Sequence, residues 1–379
     1  MDFGLNEDQE LVREQVRRFA EERIAPGERD RDREHRFPTD VLAEMAELGL
    51  LGMTVPEAYG GAGVDPLTYV LAVEEVSRMS AAVGVTMSVT NSVCAWPIVH
   101  FGSEELKRRV LPDLAGGALG GFGLTEPATG SDAGGLQTRA ERTADGWVLN
   151  GEKAWITNAQ FARYFVVVAR TGQGKKGLSA FVVPADAPGF SVGKPEEKLG
   201  LRSSSTAQIF FENCRIPHGN LLGEEGQGFV VALETLDHSR LGIAAQAVGI
   251  HQRAVELAAA YARDRVQFGV PIAKHQAIQF QIAEIATTLA ASRNLTYYAA
   301  SRSERTSDAG RLASQAKLYA AEAANRAVWV SQQIHGGNGF SEEYEIARLY
   351  RDVRVTTVYE GTSEMQRLVI ARHLLRGGA

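Results

Sequence analysis

The chain has 379 residues, 44% hydrophobic and 23% charged, which is a globular composition with enough length for two or three domains and a large buried core. Its net charge of -6 is modest and spread along the chain with no basic block, which excludes nucleic-acid or membrane-surface binding as its main business. Two cysteines, Cys94 and Cys214, are too few for a disulfide framework or a cysteine zinc site and suit reduced, structural thiols. No apolar stretch approaches membrane-spanning length and no signal peptide opens the chain. The expected location is the cytoplasm of a prokaryote, or the mitochondrial matrix if a transit peptide was removed.

Helix signals fill residues 1–120, the first expected domain. Asn6 with Gln9 makes a capping-box-like start, Val12, Val16, Phe19 and Ala20 share one face, and Pro26 is the expected end. The charged run from Glu28 to Arg36 reads as a solvated connection. Pro38 opens a second helix with Val41, Leu42, Met45 and Leu48 on one face and Gly49 as its stop. After the glycine-rich loop from Tyr59 to Gly63, the spacing predicts a third helix over Pro66 to Val83. Ser88 to Phe101 reads as a buried helix despite Pro97, and Ser103-Glu104-Glu105 starts another before Pro112.

Residues 121–225 alternate with period two and read as a middle antiparallel β-barrel or sandwich domain. Asp145-Gly146 and Asn150-Gly151 are hairpin signals, and Tyr164 to Ala169, Leu178 to Pro184 and Ala207 to Phe211 are strand candidates. Residues 226–379 return to long alanine-rich helices, roughly Phe229 to Arg263, Gln276 to Arg305 and Asp308 to His335, with a shorter one after Gly361. That pattern predicts a C-terminal four-helix bundle.

Gly172-Gln-Gly174-Lys-Lys-Gly177 matches a dinucleotide fingerprint by letter, but a strand follows it, so it reads as a hairpin turn. No phosphate loop or metal-binding helix is present, and His35, His100, His251 and His373 read as solvated or core histidines. The loop Phe122 to Asp132 gathers hydroxyls and backbone amides suited to the edge of a flat cofactor, or is simply a loop with two turns. Trp155-Ile156-Thr157-Asn158 offers an indole to a planar ring, or a buried strand tryptophan. Gln333 to Asn338 ends a helix in a glycine-rich turn. In Thr357 to Gln366, Glu360 stands beside Gly361 before a helix-start signature; it is either a shielded carboxylate base or an ordinary solvated residue at a helix start.

Together Phe122 to Asp132, Trp155 to Asn158, Arg265-Val-Gln-Phe-Gly269, Gln333 to Gly337 and Tyr359 to Glu364, in this order, resemble the acyl-CoA dehydrogenases from Leu5 to Leu375. Met87-Ser88-Val89, Lys198 to Ser203 and Leu236-Asp237 look most like the short-chain, butyryl-CoA type. The resemblance implies FAD as cofactor, an acyl-CoA substrate, electron-transferring flavoprotein as acceptor, and a homotetramer built as a dimer of dimers. It implies no nucleic-acid or membrane partner and no metal.

By the same resemblance, Glu360 is the catalytic base. Phe122, Leu124, Thr125, Gly130 and Ser131, with Trp155, Ile156 and Thr157, match the segments that hold the flavin ring and its ribityl chain. Arg265, Gln276, Gln333, Ile334, Gly336 and Gly337 match residues that reach the FAD of a neighbouring subunit, and Thr362 and Glu364 match contacts near its adenosine. Asp237 and Arg240 match the CoA segment, and Ser131 and Gly361 match substrate contacts. A branch typified by isovaleryl-CoA dehydrogenase carries its base where this chain has Ser239, so Glu360 is the single candidate. A short/branched-chain or medium-chain dehydrogenase, an acyl-CoA oxidase and a non-catalytic acyl-CoA-binding flavoprotein are the alternatives.

Overall fold

The computed structural model describes residues 4–375, so the outermost residues of the two flanking domains expected above lie outside the described residues. Helix α1 (Glu7–Phe19) opens on a complete capping box: Asn6 Oδ1 accepts from Gln9 N at 2.8 Å and Gln9 Oε1 accepts from Asn6 N at 3.1 Å. Pro26 does not end the helical run. A π-helical stretch, Ala20–Ile24, loosens the ladder, and Pro26 then sits in the first turn of α2 (Ala25–Glu34), where a missing N–H costs little. Helix α3 (Thr39–Glu47) buries Val41, Leu42 and Met45, but Leu48 lies past its end, 57% exposed.

The expected helix to Val83 is two. Helix α4 (Pro66–Met79) stops at Ser80, whose backbone turns extended and whose Oγ accepts from Val83 N at 3.1 Å to cap α5 (Ala81–Val89). A second π-helical stretch, Thr90–Ala95, seats Pro97 in the first turn of α6 (Trp96–Phe101), the same solution as at Pro26. Ala81–Phe101 is therefore 21 residues long and apolar enough to span a membrane by length and composition, contrary to the sequence expectation. Its most apolar window is 89% buried within the protein, the mark of a core helix. Helix α7 (Glu104–Ala115) carries Pro112 inside it rather than beyond it.

An eight-stranded sheet follows: β1 (Leu119–Gly123), β2 (Arg139–Arg142), β3 (Trp147–Thr157), β4 (Ala162–Arg170), β5 (Leu178–Pro184), β6 (Phe190–Pro195), β7 (Thr206–Ile216) and β8 (Leu221–Leu222). The order is β6-β7-β3-β2-β4-β5-β8, with β1 beside β4; most pairs are antiparallel, but β1 and β2 each run parallel to β4. Asp145-Gly146 does turn a hairpin between β2 and β3. Asn150-Gly151 does not: it lies within β3 at a register shift against β7, where Gly151 has φ +138° and a Cβ would come within 2.8 Å of Thr138. The glycine run from Gly172 to Gly177 is the loop joining β4 to β5, as its surroundings predict.

Strand β4 explains why its sequence is apolar throughout. Phe165, Val167 and Ala169 face one core, shared with the helices of both flanking regions, while Tyr164, Val166 and Val168 face a second core with α6 and α7. The C-terminal region holds α8 (Gly228–Asp264), the hairpin β9 (Val266–Gln267) and β10 (Val270–Pro271), α9 (Gln276–Arg302), α10 (Ala309–His335), α11 (Glu345–Val353) and α12 (Ser363–Leu375). Buried alanines such as Ala244, Ala247, Ala316 and Ala320 let α8 and α10 lie close.

Helix α11, unseen in the sequence, overturns the reading of the run from Glu28 to Arg36 as solvated. Glu28, Arg31 and Asp32 are each no more than 5% exposed. Arg31 pairs with Glu28 at 3.3 Å within α2, and the remaining counter-charges come from α11: Arg351 pairs with Asp32 at 2.5 Å, and Arg348 lies 3.6 Å from Glu28 and 3.5 Å from Asp352. Asp352 Oδ1 also accepts from Leu201 N at 2.6 Å, tying the sheet region into the same network. Arg348→Met removes the cation that pairs with Asp352 and that Glu28 shares with Arg31, so the substitution is expected to destabilise the protein by about 3 kcal/mol. Thermal and denaturant unfolding check this, and an unchanged midpoint would contradict it.

Candidate active site

Glu360 and Gly361 form the turn before α12, and both are left-handed, at φ +51° and +89°. Glycine adopts this freely; a glutamate does so at a cost of about 1–2 kcal/mol, which the surroundings must offset. Gln366 Nε2 donates to the Glu360 carbonyl at 3.2 Å and to the Gly361 carbonyl at 2.9 Å, and Lys317 Nζ donates to the Gly361 carbonyl at 2.7 Å. The turn is clamped from α12 and α10 together.

The carboxylate this turn presents is shielded: Glu360 Oε2 is buried and, among the described residues, has no hydrogen-bond partner. Burial raises its pKa above the ordinary carboxylate value, against the opposing effects of Ser239, Lys317 and Arg240. Ser239 therefore stands on α8 beside Glu360, so the two positions that the resemblance offers for a base converge in space and only one carries a carboxylate. Arg240 pairs with Asp237 and donates from Nη1 to Ser314 Oγ at 3.2 Å. Burial pushes the Asp237 carboxyl up, and Arg240 resists the shift. Among the described residues Arg240 Nε, Ser363 Oγ and Gln366 Oε1 are, like Glu360 Oε2, buried polar atoms without a partner, an arrangement that suits a polar ligand completing the site.

Tyr69 and Tyr359 lie close enough to Glu360 to feel its charge, and hydrogen bonds fix both. Tyr69 on α4 donates to Ser88 Oγ at 3.0 Å, and a Cβ added at Gly242 on α8 would lie 2.8 Å from the Tyr69 hydroxyl. Gln246, one turn further, donates to the Ala81 carbonyl at 2.7 Å and accepts from the Tyr359 hydroxyl. Trp96 stacks on His238 with ring centroids 4.9 Å apart; burial pulls the His238 pKa down to about 3, so the ring is neutral.

A second cluster forms at the sheet. Glu126, 6% exposed, is the hub of the loop from Phe122 to Asp132: it accepts from Gln137 N at 2.6 Å, Thr138 N at 2.9 Å and Lys153 Nζ at 2.7 Å. Lys153 also donates to the Leu124 carbonyl at 3.3 Å, and Ala154 N to the Thr125 carbonyl at 2.9 Å. Phe122, Leu124, Thr125 and Thr157 are thereby held half-buried, with Gly130 and Ser131 exposed and Ile156 in the core. Trp155 is not a buried strand tryptophan. It takes φ +62° and leaves its indole 62% exposed, and among the described residues no ring packs on it. A fixed polar loop beside a free indole fits a flat, hydrogen-bonding cofactor such as FAD.

Helix α5 separates this cluster from the base. Thr86 accepts from Asn158 at the end of the sheet motif, at 3.3 Å, while Ser88 faces Tyr69. Arg265, Gln276, Gln333, Gly336 and Gly337 are elsewhere, exposed around the far end of the bundle, with Ile334 buried beneath them. Tyr261 stacks on His335 there, 4.3 Å between centroids, and accepts from Asn338 at 3.0 Å. From Arg240 to Arg265, α8 runs about 37 Å, so one chain does not bring this group to its own Glu360. Thr362 and Glu364 stay beside Glu360, at the start of α12.

Sequence reasoning missed Lys153, Lys317, Gln246 and Gln366. A signal existed for two of them. Lys153 shares strand parity with buried Trp147 and Leu149, and Lys317 sits on the helix face of Ala313, Ala316 and Ala320.

Three family profiles match nearly the whole chain: the N-terminal domain of acyl-CoA dehydrogenase over residues 6–118, the middle domain over 121–214 and the C-terminal domain over 226–375. The mitochondrial short-chain specific acyl-CoA dehydrogenase of Mus musculus is 49% identical over 98% of this chain and 91% of its own length. Butyryl-CoA dehydrogenase from Megasphaera elsdenii superposes with a TM-score of 0.97 at 42% identity, over 99% of this chain and 100% of the other. A chain from a structure of the electron transferring flavoprotein of Acidaminococcus fermentans reaches 0.98 at 43% identity, with 99% and 100% covered.

Replacing Lys153 by Met would leave Glu126 buried without its cation and loosen the loop beside Trp155. Retention of FAD is expected to weaken roughly tenfold. The ratio of flavin to protein absorbance after dialysis reads this out, and a ratio equal to that of the unsubstituted protein would contradict it.

Proposed function

The chain belongs to the acyl-CoA dehydrogenase family of FAD-dependent oxidoreductases, and from that premise we propose that it converts a short-chain acyl-CoA to the trans-2-enoyl-CoA with Glu360 as base. The observation that carries this is the shielded Glu360 carboxylate, held on a clamped left-handed turn with unpaired polar atoms around it.

Glu360 takes a proton from the α-carbon of the bound thioester. Bound FAD would supply the acceptor for the hydride lost from the β-carbon. The carboxylate is a far weaker base than the carbanion it generates, so the chain must stabilise charge on the thioester oxygen; the Glu360 backbone N–H is the group we assign to that oxygen. Exclusion of water around Glu360 both raises its basicity and strengthens that bond. Arg240, Asp237, Ser131 and Gly361 are assigned to the CoA thioester, and Phe122, Leu124, Thr125, Gly130, Ser131, Trp155, Ile156 and Thr157 to the flavin and ribityl chain. Thr362 and Glu364 are assigned near the adenosine.

A short acyl chain is favoured by the likeness to the short-chain specific and butyryl-CoA dehydrogenases. Neighbouring chain lengths overlap, since one methylene is worth only about 1–3 kcal/mol. Electrons pass on to electron-transferring flavoprotein, a reading supported by the Acidaminococcus fermentans neighbour. The separation of Arg265, Gln276, Gln333, Ile334, Gly336 and Gly337 from Glu360 supports their serving the FAD of another subunit. Phe268 and Phe280, 94% and 64% exposed near them, would be covered in a homotetramer.

Glu360→Gln is expected to keep its yellow flavin and lose turnover by at least roughly a thousandfold. Because burial raises the carboxyl pKa, the unsubstituted enzyme is expected to lose flavin reduction as pH falls through a window above the ordinary carboxylate range. Normal bleaching of the flavin by butyryl-CoA in Glu360→Gln would remove Glu360 from the role.

A further inference from the structure

Lys317 is fully buried on α10, on a face otherwise made of Ala313, Ala316 and Ala320. Among the described residues its side chain makes one hydrogen bond, to the Gly361 carbonyl at 2.7 Å. That carbonyl already accepts from the neutral Gln366 amide at 2.9 Å, so a donor alone does not account for a cation here. Burying an ammonium is costly unless its charge is used. Among the described residues Lys317 has no carboxylate oxygen within 4.0 Å, whereas the neighbouring cation, Arg240, is already paired with Asp237.

We propose that Lys317 is a positioning residue for the base: its ammonium, tethered to the Gly361 carbonyl, holds the left-handed Glu360–Gly361 turn and supplies the positive charge against which the shielded carboxylate ionises. This rests on the reading of Glu360 as the base. The groups facing the carboxylate support the division of labour. Tyr69 comes from α4, Arg240 and the Ser239 hydroxyl from α8, Lys317 from α10, and Tyr359 is adjacent in the chain. Lys317 in turn faces Glu360, Arg240 on α8, Glu322 on its own helix and Glu364 on α12. Burial lowers the Lys317 pKa to about 8, with Glu360 the strongest charge opposing that fall. Burial raises that of Glu360, with Lys317 and Arg240 opposing. Each charge is therefore maintained partly by the other.

The experiment is an infrared difference titration of the FAD-bound protein, following the protonated-carboxyl band that Glu360→Gln removes. Lys317→Gln keeps a donor and loses the charge; Lys317→Met loses both; Lys317→Arg keeps the charge. The midpoint of the band is expected to rise by roughly one pH unit in Lys317→Gln and Lys317→Met and to stay near that of the unsubstituted protein in Lys317→Arg. A midpoint unmoved in Lys317→Gln, with the band still present, would overturn the assignment and leave Lys317 a structural tether. The band reports ionisation whether or not Glu360 is the base. Failure of the base assignment shows instead as turnover surviving in Glu360→Gln.

Discussion

The site depends on holding a carboxylate, half withdrawn from water, on a backbone turn that a glutamate does not favour. Glu360 and Gly361 are both left-handed, and the conformation persists because Gln366 and Lys317 bind the carbonyls of the turn from two different helices. The turn cannot relax without breaking contacts in α10 and α12, and α10 lies along α8, which brings Ser239, Arg240 and Gly242 to the same place. Close approach of those helices needs alanine faces, so the alanine-rich composition of the C-terminal region and the geometry of the base are one constraint seen at two scales.

A second constraint runs through the buried charges that join distant parts of the chain. Glu28 and Asp32 in α2 meet Arg348 and Arg351 in α11, and Asp352 reaches Leu201 in the sheet region. Glu126 and Lys153 do the same at smaller range, converting a flexible loop into a fixed edge beside Trp155. In both cases removal of one partner leaves a charge in a dry place, so the pairs fix arrangement more than they add stability.

Much of the architecture was legible because periodicity, caps and turn residues agreed, as at Asn6 and Gln9, Asp145-Gly146, and the apolar runs of β4 and β5. The failures have physical causes. Pro26 looked like a helix end, but a π-helical stretch before it supplies a fresh first turn, the same device that lets the helical run pass Pro97 as expected. Asn150-Gly151 looked like a turn, but the glycine serves a register shift inside a strand. The run from Glu28 to Arg36 looked solvated because its partners lie more than three hundred residues away, and helix α11 that carries them is short and charged. At the site, Glu360 stood out by its setting and Lys317 by its place on an alanine face, whereas Gln366 acts through backbone carbonyls that no side-chain pattern reveals. Arg240 and Arg265 shared one family resemblance, yet about 37 Å of α8 separates them, so the sequence order of motifs carried no information about which of them meet in one chain.

The central claim, a short-chain acyl-CoA oxidised at Glu360, is tested most directly by anaerobic titration of the purified FAD-bound protein with straight and branched acyl-CoAs while the visible flavin band is followed. The account predicts bleaching by butyryl-CoA at lower concentration than by longer or branched chains. A yellow protein that no acyl-CoA bleaches would contradict it.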